Sequence, residues 1–331
     1  MTAWFPDNYT VTTALALAVR APSVHNSQPW RWRIGDRSVH LYPDTQRRLS
    51  VTDPDERDLV LSCGAALHHA RVAFAALGWR TEVHRMPNPA EPDHLAALEL
   101  HRQEPGSDEI ALAAAIPRRR TDRRRYSSWP VPDQYLTTMA EQAAADGAVL
   151  KAIRGEPERH HVVRALSEAA RVHADDPAYR TELAAWSGRH GSAEGVPAIS
   201  APPPEVSGDV PTRAFSDPRL VQPPGATAEG DEAVLLALAT ASDDRLSRLR
   251  AGEATSAVLL TATSLGLACC PLTEPLEVQT TRELLRDRVT DGSAPQMLLR
   301  VGWAPINADP LPATPRHPIG DVVRGLTWNA P

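Results

Sequence analysis

Apolar side chains recur with a helical period in the stretch after Asp53. Leu59, Cys63, Ala66, Leu67, Ala70, Ala73, Phe74 and Leu77 fall on one face, and Gly78 follows where a left-handed residue stops a helix. Asp53, Pro54 and Glu56 have capping-box spacing, with Asp where Ser or Thr is usual, so the helix is expected to start at Pro54. A second helix is expected late in the chain, with Ala254, Ala257, Val258, Thr261 and Leu265 on one stripe, closing on Leu265-Gly266 as the first closes on Leu77-Gly78. Residues 11–20 read as a short helix. Residues 30–34 and 39–42 alternate as two strands joined through Gly-Asp-Arg-Ser, a hairpin signal. Residues 79–86, 95–102 and 296–303 are further strand candidates.

The order helix, Leu-Gly, strand thus occurs twice. It is either a common local grammar or a weak internal duplication, two related α+β halves meeting near residue 115. Residues 187–231 interrupt the second half with a Pro-, Gly-, Ser- and Ala-rich stretch of little periodicity, which is either a disordered linker or a functional lid. Its phenylalanine, isoleucine, leucine and valines favour a lid that packs onto something.

Composition removes several classes. A net charge of -6 gives no general attraction for nucleic acid or anionic membrane. Lys151 is the single lysine among 35 basic residues, so there is no Walker lysine motif. Cys63, Cys269 and Cys270 are too few and too badly spaced for a disulfide framework or a zinc site, and the cytoplasm is the expected compartment. His68-His69 and His160-His161 are adjacent pairs whose members point about 100° apart on a helix, and no metal site is expected. The N-terminus has an acidic residue and no basic run, so it does not read as a signal peptide. No apolar run reaches the roughly 20 residues of a membrane span. A Gly-x-Ser-x-Gly elbow is also absent.

Two stretches carry candidate chemistry. Residues 21–34 crowd Ser23, His25, Asn26, Ser27 and Gln28 into six positions before Trp30, Trp32 and Ile34 turn to one face. This is either a plain helix-to-strand loop or a ligand site at a strand entrance. Arg118, Arg119, Arg120, Arg123, Arg124 and Arg125 lie within eight positions. A solvated basic face, a nucleic-acid contact and a pocket for one phosphate all remain open, with Thr121 in the middle favouring the phosphate.

Together these motifs resemble the flavin-binding nitroreductase superfamily. Arg-Arg-Thr-Asp-Arg, residues 119–123, is similar to its FMN-phosphate motif, and Pro-Ser-Val-His-Asn-Ser-Gln-Pro-Trp, residues 22–30, to the stretch beside the isoalloxazine and ribityl chain. Leu-Gly-Leu followed by a Pro-bearing loop, and the late Arg316, resemble the family's ring-covering loop and second phosphate arginine. The resemblance implies an α+β nitroreductase-like fold around central mixed β-sheets. Its cofactor-binding set is Pro22, Ser23, His25, Asn26, Gln28, Arg119, Arg120, Thr121, Arg123, Pro271, Leu272, Thr273, Glu274 and Arg316. Leu272, Thr273 and Glu274 would bring a backbone N–H toward flavin N5, and no catalytic side chain is implied, since the flavin carries the chemistry.

Motif order departs from the family homodimer. The Asn-x-Gln-Pro-Trp element precedes the arginine motif here, which implies two fused half-repeats, 1–116 and 117–331, mimicking the dimer as one interlocked unit with one composite site and one FMN. The fusion and the insertion at 187–231 resemble the Acg family of nitroreductase-like flavoproteins, in which such an insertion is thought to cover the flavin. Implied partners are NAD(P)H and a nitroaromatic or quinone acceptor. The alternative is a lid-occluded flavin-binding or flavin-storage protein with little turnover. Neither nucleic acid nor membrane is an expected partner, and the monomer is free to dimerise further.

Overall fold

The computed structural model describes residues 5–203, 210–223, 231–305 and 307–325. In chain order its first part holds α1 (Asn8–Ala18), β1 (Trp30–Ile34), β2 (Ser38–Pro43), α2 (Arg57–Ala76), β3 (Trp79–Arg85), β4 (Ala96–Arg102) and α3 (Ser107–Ala115). Next come α4 (Asp133–Ala145), β5 (Val149–Ile153), α5 (Glu156–Asp175), α6 (Pro177–Trp186), β6 (Ser187–Arg189) and β7 (Val196–Pro197). The last part holds β8 (Val234–Thr240), α7 (Arg245–Ser264), β9 (Ala268–Leu272), α8 (Glu274–Glu277), α9 (Gln279–Arg288), β10 (Ala294–Gly302), α10 (Ile319–Val322) and β11 (Val323–Gly325).

Two larger sheets result, in the orders β11-β1-β2-β4-β3 and β5-β8-β10-β9. Leaving out β11, both have the same strand order, the same antiparallel pairing and one long helix after the second strand. The chain's end adds β11 parallel to β1, which makes the first sheet mixed. Trp30 and Trp32 are buried while Arg31 and Arg33 point outward, the alternation of a strand with one covered face. β10, between β8 and β9, is buried along almost its full length instead, Gln296 and Arg300 included.

Several helix boundaries differ from the sequence expectation. The helix expected at Pro54 begins at Arg57, because Glu56 takes a left-handed φ of 54°. Asp53 still acts as its cap from outside, accepting from the Leu59 N–H at 2.8 Å. α7 starts earlier than its apolar stripe, at Arg245, with the Asp244 carboxylate accepting from the Ser247 N–H. α1 is shifted toward the N-terminus because Asp7 caps it. The insertion is larger than its Pro-rich part: it starts after β5, includes α5 and α6, and of residues 187–231 those at 204–209 and 224–230 lie outside the described residues. α2 is one helix long and apolar enough to cross a bilayer, which the sequence reading did not expect, but 83% of that stretch is buried inside the protein, as in a core helix.

α2 and α7 cross at Gly64 and Gly252, each the eighth residue of a 20-residue helix. A Cβ on Gly64 would stand 2.1 Å from the Leu249 carbonyl oxygen, and one on Gly252 2.0 Å from that of Leu61. Backbone therefore lies on backbone, and only glycine is tolerated. Gly78 and Gly266, with φ of 85° and 84°, end the two helices at the same spacing from these crossing residues. On one flank of the crossing Glu253, fully buried, accepts from Arg71 at 2.8 Å and Arg85 at 2.6 Å. Nearby His68 lies 2.8 Å from Ser256 Oγ and 4.0 Å from Asp146.

Two expectations follow. Gly64→Ala or Gly252→Ala should cost about 3 kcal/mol, since overpacking against rigid backbone has no side chain to displace, and thermal unfolding would register it as a lowered midpoint. Burial pushes the His68 imidazole down to about 4 against the pull of Asp146. Its folded pKa lies below its unfolded value, so the unfolded state binds more protons between them and stability falls as pH drops from about 6.5 to about 4, by roughly 3 kcal/mol. Denaturant midpoints across that window in wild type and His68→Gln would check it, the variant losing less on acidification.

Candidate functional site

On the other flank of the α2–α7 crossing lies a cleft with about 1020 Å³ of empty space, open solvent at its mouth included. Its floor comes from the first turns of α2 (Asp58, Leu61, Ser62, Ala65) and from Gly252 and Thr255 of α7. Residues 22–25 form one wall. The end of β9 with the start of α8, from Cys270 to Glu274, forms the opposite one, and Thr121 with Arg123 completes the rim.

The wall at residues 22–25 belongs to a strained loop. His25, Asn26 and Gln28 all have positive φ, at 45°, 55° and 53°, a conformation that costs each non-glycine residue of order 1 kcal/mol or more unless its surroundings enforce it. The surroundings do so here. Ser23 Oγ accepts from the Gln28 N–H at 3.0 Å, and Ser62 Oγ accepts from the Val24 N–H at 3.1 Å while donating to the Asp58 carbonyl at 2.6 Å. The Asn26 amide donates to the carbonyls of Ala193, Gly195 and Pro315, and Gln28 Nε2 donates to Ala193 at 2.7 Å while its Oε1 accepts from the His317 N–H. Asn26 and Gln28 are thus buried and turned away from the cleft, binding the loop to the insertion and to the chain's last segment. Asn26 Oδ1 is left without a partner.

The arginine run divides by partner. Arg124 is paired with Asp122 at 2.7 Å, and Arg120 donates to the carbonyls of Pro117, Arg119 and Leu311. Thr121 bridges to Cys269, which lays the run along β9. Arg123 stacks over the Phe215 ring at 4.8 Å and donates to the Ser200 carbonyl. Arg119 is buried with Nε and Nη1 unpartnered, and Arg316 and Arg20 each have a buried Nε in the same condition. Among the described residues none of Arg20, Arg119 and Arg316 has an acid partner. Burial, with the neighbouring guanidinium groups, pushes Arg119 down to about 10 and Arg316 to about 9. A cluster of like charges in a dry place is costly unless an anion joins it.

The remaining wall is contributed by the insertion through Pro211, Thr212, Arg213 and Phe215. Arg213 pairs with Glu277 at 2.5 Å. His25 is held neutral: burial, then Arg213 and Arg123, push its imidazole far down. Burial pushes the Asp58 carboxyl up against the pull of Arg57, whose Nη1 is 2.5 Å away.

Of the expected site residues, Pro22, Ser23, His25, Thr121, Arg123, Pro271, Leu272, Thr273 and Glu274 come together around this cleft. Arg119, Arg120 and Arg316 form the adjoining basic cluster, and Asn26 and Gln28 support the loop. Arg213, Phe215, Asp58, Thr255, Met297 and Arg300 also line the cleft and had no sequence signal of their own. Only the apolar residues of the insertion hinted that Phe215 packs inward. All three cysteines are free and buried. Among the described residues no group of His, Cys, Asp and Glu is arranged to hold a metal.

No family model matches the chain. It is 52% identical over 324 residues to the inferred NAD(P)H nitroreductase Rv3131 of Mycobacterium tuberculosis (strain ATCC 25618 / H37Rv), covering 98% of this chain and 93% of that protein. It is 38% identical over 330 residues to the inferred NAD(P)H nitroreductase acg of the same strain, covering 96% and 97%. Among solved structures, an inferred nitroreductase from Anabaena variabilis matches with a TM-score of 0.47 at 10% identity, over 91% of this chain and 90% of that one. A Bacteroides fragilis nitroreductase with bound FMN matches with a TM-score of 0.38 at 15% identity, over 60% and 90%. Related along nearly its whole length to Rv3131 and acg, the chain belongs to the nitroreductase family.

Proposed function

We propose that the chain is an FMN-dependent oxidoreductase that takes electrons from NAD(P)H and delivers them to a nitroaromatic or quinone acceptor. The observation that carries this reading is the buried Arg119 guanidinium, its Nε and Nη1 unpartnered, beside the half-buried Arg316, whose Nη groups donate only to the carbonyls of Arg20, Ala21, Thr314 and Pro315. Neither has an acid partner among the described residues, and they adjoin a cleft walled in part by prolines and aliphatic side chains. A phosphate supplies the missing anion, and a flat ring suits the walls. FMN bound there would supply the hydride chemistry, accepting two electrons from the nicotinamide and passing them on.

The chain's own residues bind, orient and exclude water. Arg119 and Arg316, with Thr121 and Arg123 toward the cleft, hold the phosphate by charge-assisted hydrogen bonds. Pro22 and Pro271 offer flat apolar surface to the ring. Thr255 Oγ1, buried on the floor without a partner, is available to a polar edge of the ligand. Backbone N–H groups of Leu272, Thr273 and Glu274 are our candidates for the N5 side. Asn26 and Gln28 act through the loop they hold. We read 1–116 and 117–331 as two fused halves sharing this cleft, so one FMN binds per chain, in a cytoplasmic protein whose monomer mimics a dimer.

A second reading is favoured by the insertion: Arg213 and Phe215 stand in the cleft wall, where they narrow the approach. In that case the protein holds flavin beneath a lid with little turnover. Both readings require a yellow protein with about one FMN per chain, as one site implies. Anaerobic titration separates them: rapid bleaching by NADPH or NADH indicates the open reductase, and bleaching by dithionite alone indicates the lidded form. A colourless protein that takes up no FMN overturns both.

Arg119→Ala and Arg316→Ala should each weaken FMN binding by about 1.5 to 3 kcal/mol, the usual worth of a hydrogen bond to a charged group. Equilibrium fluorescence titration measures this, and unchanged affinity in both variants would remove the phosphate assignment.

A further inference from the structure

Arg213 meets four side chains on three separate segments. Its Nη1 donates to Tyr179 Oη at 2.7 Å and to His25 Nε2 at 3.2 Å, and its Nη2 donates to Thr273 Oγ1 at 3.0 Å and Glu277 Oε1 at 2.5 Å. Tyr179 belongs to the insertion's α6, His25 to the strained wall, Thr273 to the turn before α8 and Glu277 to α8 itself. Both members of the ion pair are buried, at 8% and 2% side-chain exposure. His173 extends the contact, its ring stacked on Tyr179 at 3.7 Å and its Nδ1 3.2 Å from Glu274.

Among the described residues the segment that Arg213 anchors is held otherwise by Val210, packed against a core cluster, and by Phe215. Phe215 packs with Tyr179, Leu183, Val196 and Ala201 in a small cluster of the insertion's own, separate from the main cores. Toward the cleft it meets His25 edge-on at 6.2 Å and Arg123 at 4.8 Å. A buried ion pair is weak evidence for net stability, but removing one partner strands the other and is strongly unfavourable. The pair therefore favours one seating of the segment over the alternatives.

We propose that Arg213 is an access-determining residue: by bridging His25, Thr273 and Glu277 it holds residues 211–215 at the mouth of the cleft and so limits the bulk of the acceptor that enters. The inference rests on the reading that the insertion covers the site. It assigns Arg213 a positioning role and no contact with a reacting atom.

The test uses two cysteines of the protein as purified. Cys270 lines the cleft at 3% exposure, whereas Cys63 is fully buried in the α2 core away from it. Modification by N-ethylmaleimide is followed at each cysteine by peptide mass spectrometry. Arg213→Ala should raise the Cys270 rate at least ten-fold and leave Cys63 unchanged, and Arg213→Lys, which keeps a charged donor for Glu277, should bring Cys270 back close to wild type. The proposal is overturned if Cys270 does not respond to Arg213→Ala, if Cys63 rises in step with it, or if Arg213→Lys behaves as Arg213→Ala does. With FMN bound, the first variant should also raise kcat/KM for a bulky quinone more than for benzoquinone. Because the cysteine rates need no flavin, a colourless protein would defeat the proposed function and leave the test of Arg213 readable.

Discussion

The close crossing of α2 and α7 is the contact on which the other features depend. With Gly64 and Gly252 opposed, each helix sets its backbone against the carbonyls of the other, at a separation that no Cβ would permit. This approach fixes how the two similar sheets sit and leaves two flanks. On one flank Ala65, next after Gly64, and Thr273 line an open cleft. On the other the residues at the same spacing, Glu253 next after Gly252 and Arg85, meet as a buried ion pair joined by Arg71. Small side chains leave room on one side, and a satisfied carboxylate fills the other. The asymmetry of an otherwise repeated architecture thus comes from a few residues.

Charge is handled in two ways across the protein. Buried cations that serve the fold have carboxylates within reach: Arg57 has Asp58, Arg124 has Asp122 and Arg213 has Glu277. Arg119 and Arg316 have none, and burial with their neighbours presses both guanidinium groups toward the neutral form. Burying an unpaired charge costs several kcal/mol, and that difference is the ground on which we propose an anion from outside the chain for the second group. They lie beside the cleft that Thr121 and Arg123 also line. The strained loop at His25, Asn26 and Gln28 has the same character, being held by hydrogen bonds from segments far along the chain.

Local physics was legible in the sequence. The strands at 30–34 and 79–85, the two long helices and their Gly78 and Gly266 stops follow from apolar period and from the left-handed region that glycine occupies freely. The identity of the loop at residues 22–30 and of the arginine run was legible as well, because each packs unusual polar chemistry into a few positions. Helix starts were less so. Pro54 and the capping spacing pointed to one start, but Glu56 adopts a left-handed turn and Asp53 reaches to Leu59.

Tertiary structure alone decided what those motifs do. Asn26 and Gln28 look from the sequence like ligand groups, yet their amides are used by the carbonyls of Ala193, Gly195 and Pro315, partners more than 160 residues away. Arg119 and Arg124 belong to one run, and only the position of Asp122 and the path along β9 separate the paired guanidinium from the unpaired one. Arg213 and Phe215 sit in a stretch without periodicity, so nothing local marks them, and their place in the cleft follows from contacts with α6, α8 and the loop at His25. Periodicity, caps and stops depend on residues a few positions apart and are written in the sequence. Burial without a partner depends on every segment that packs around a group, and only the folded chain determines it.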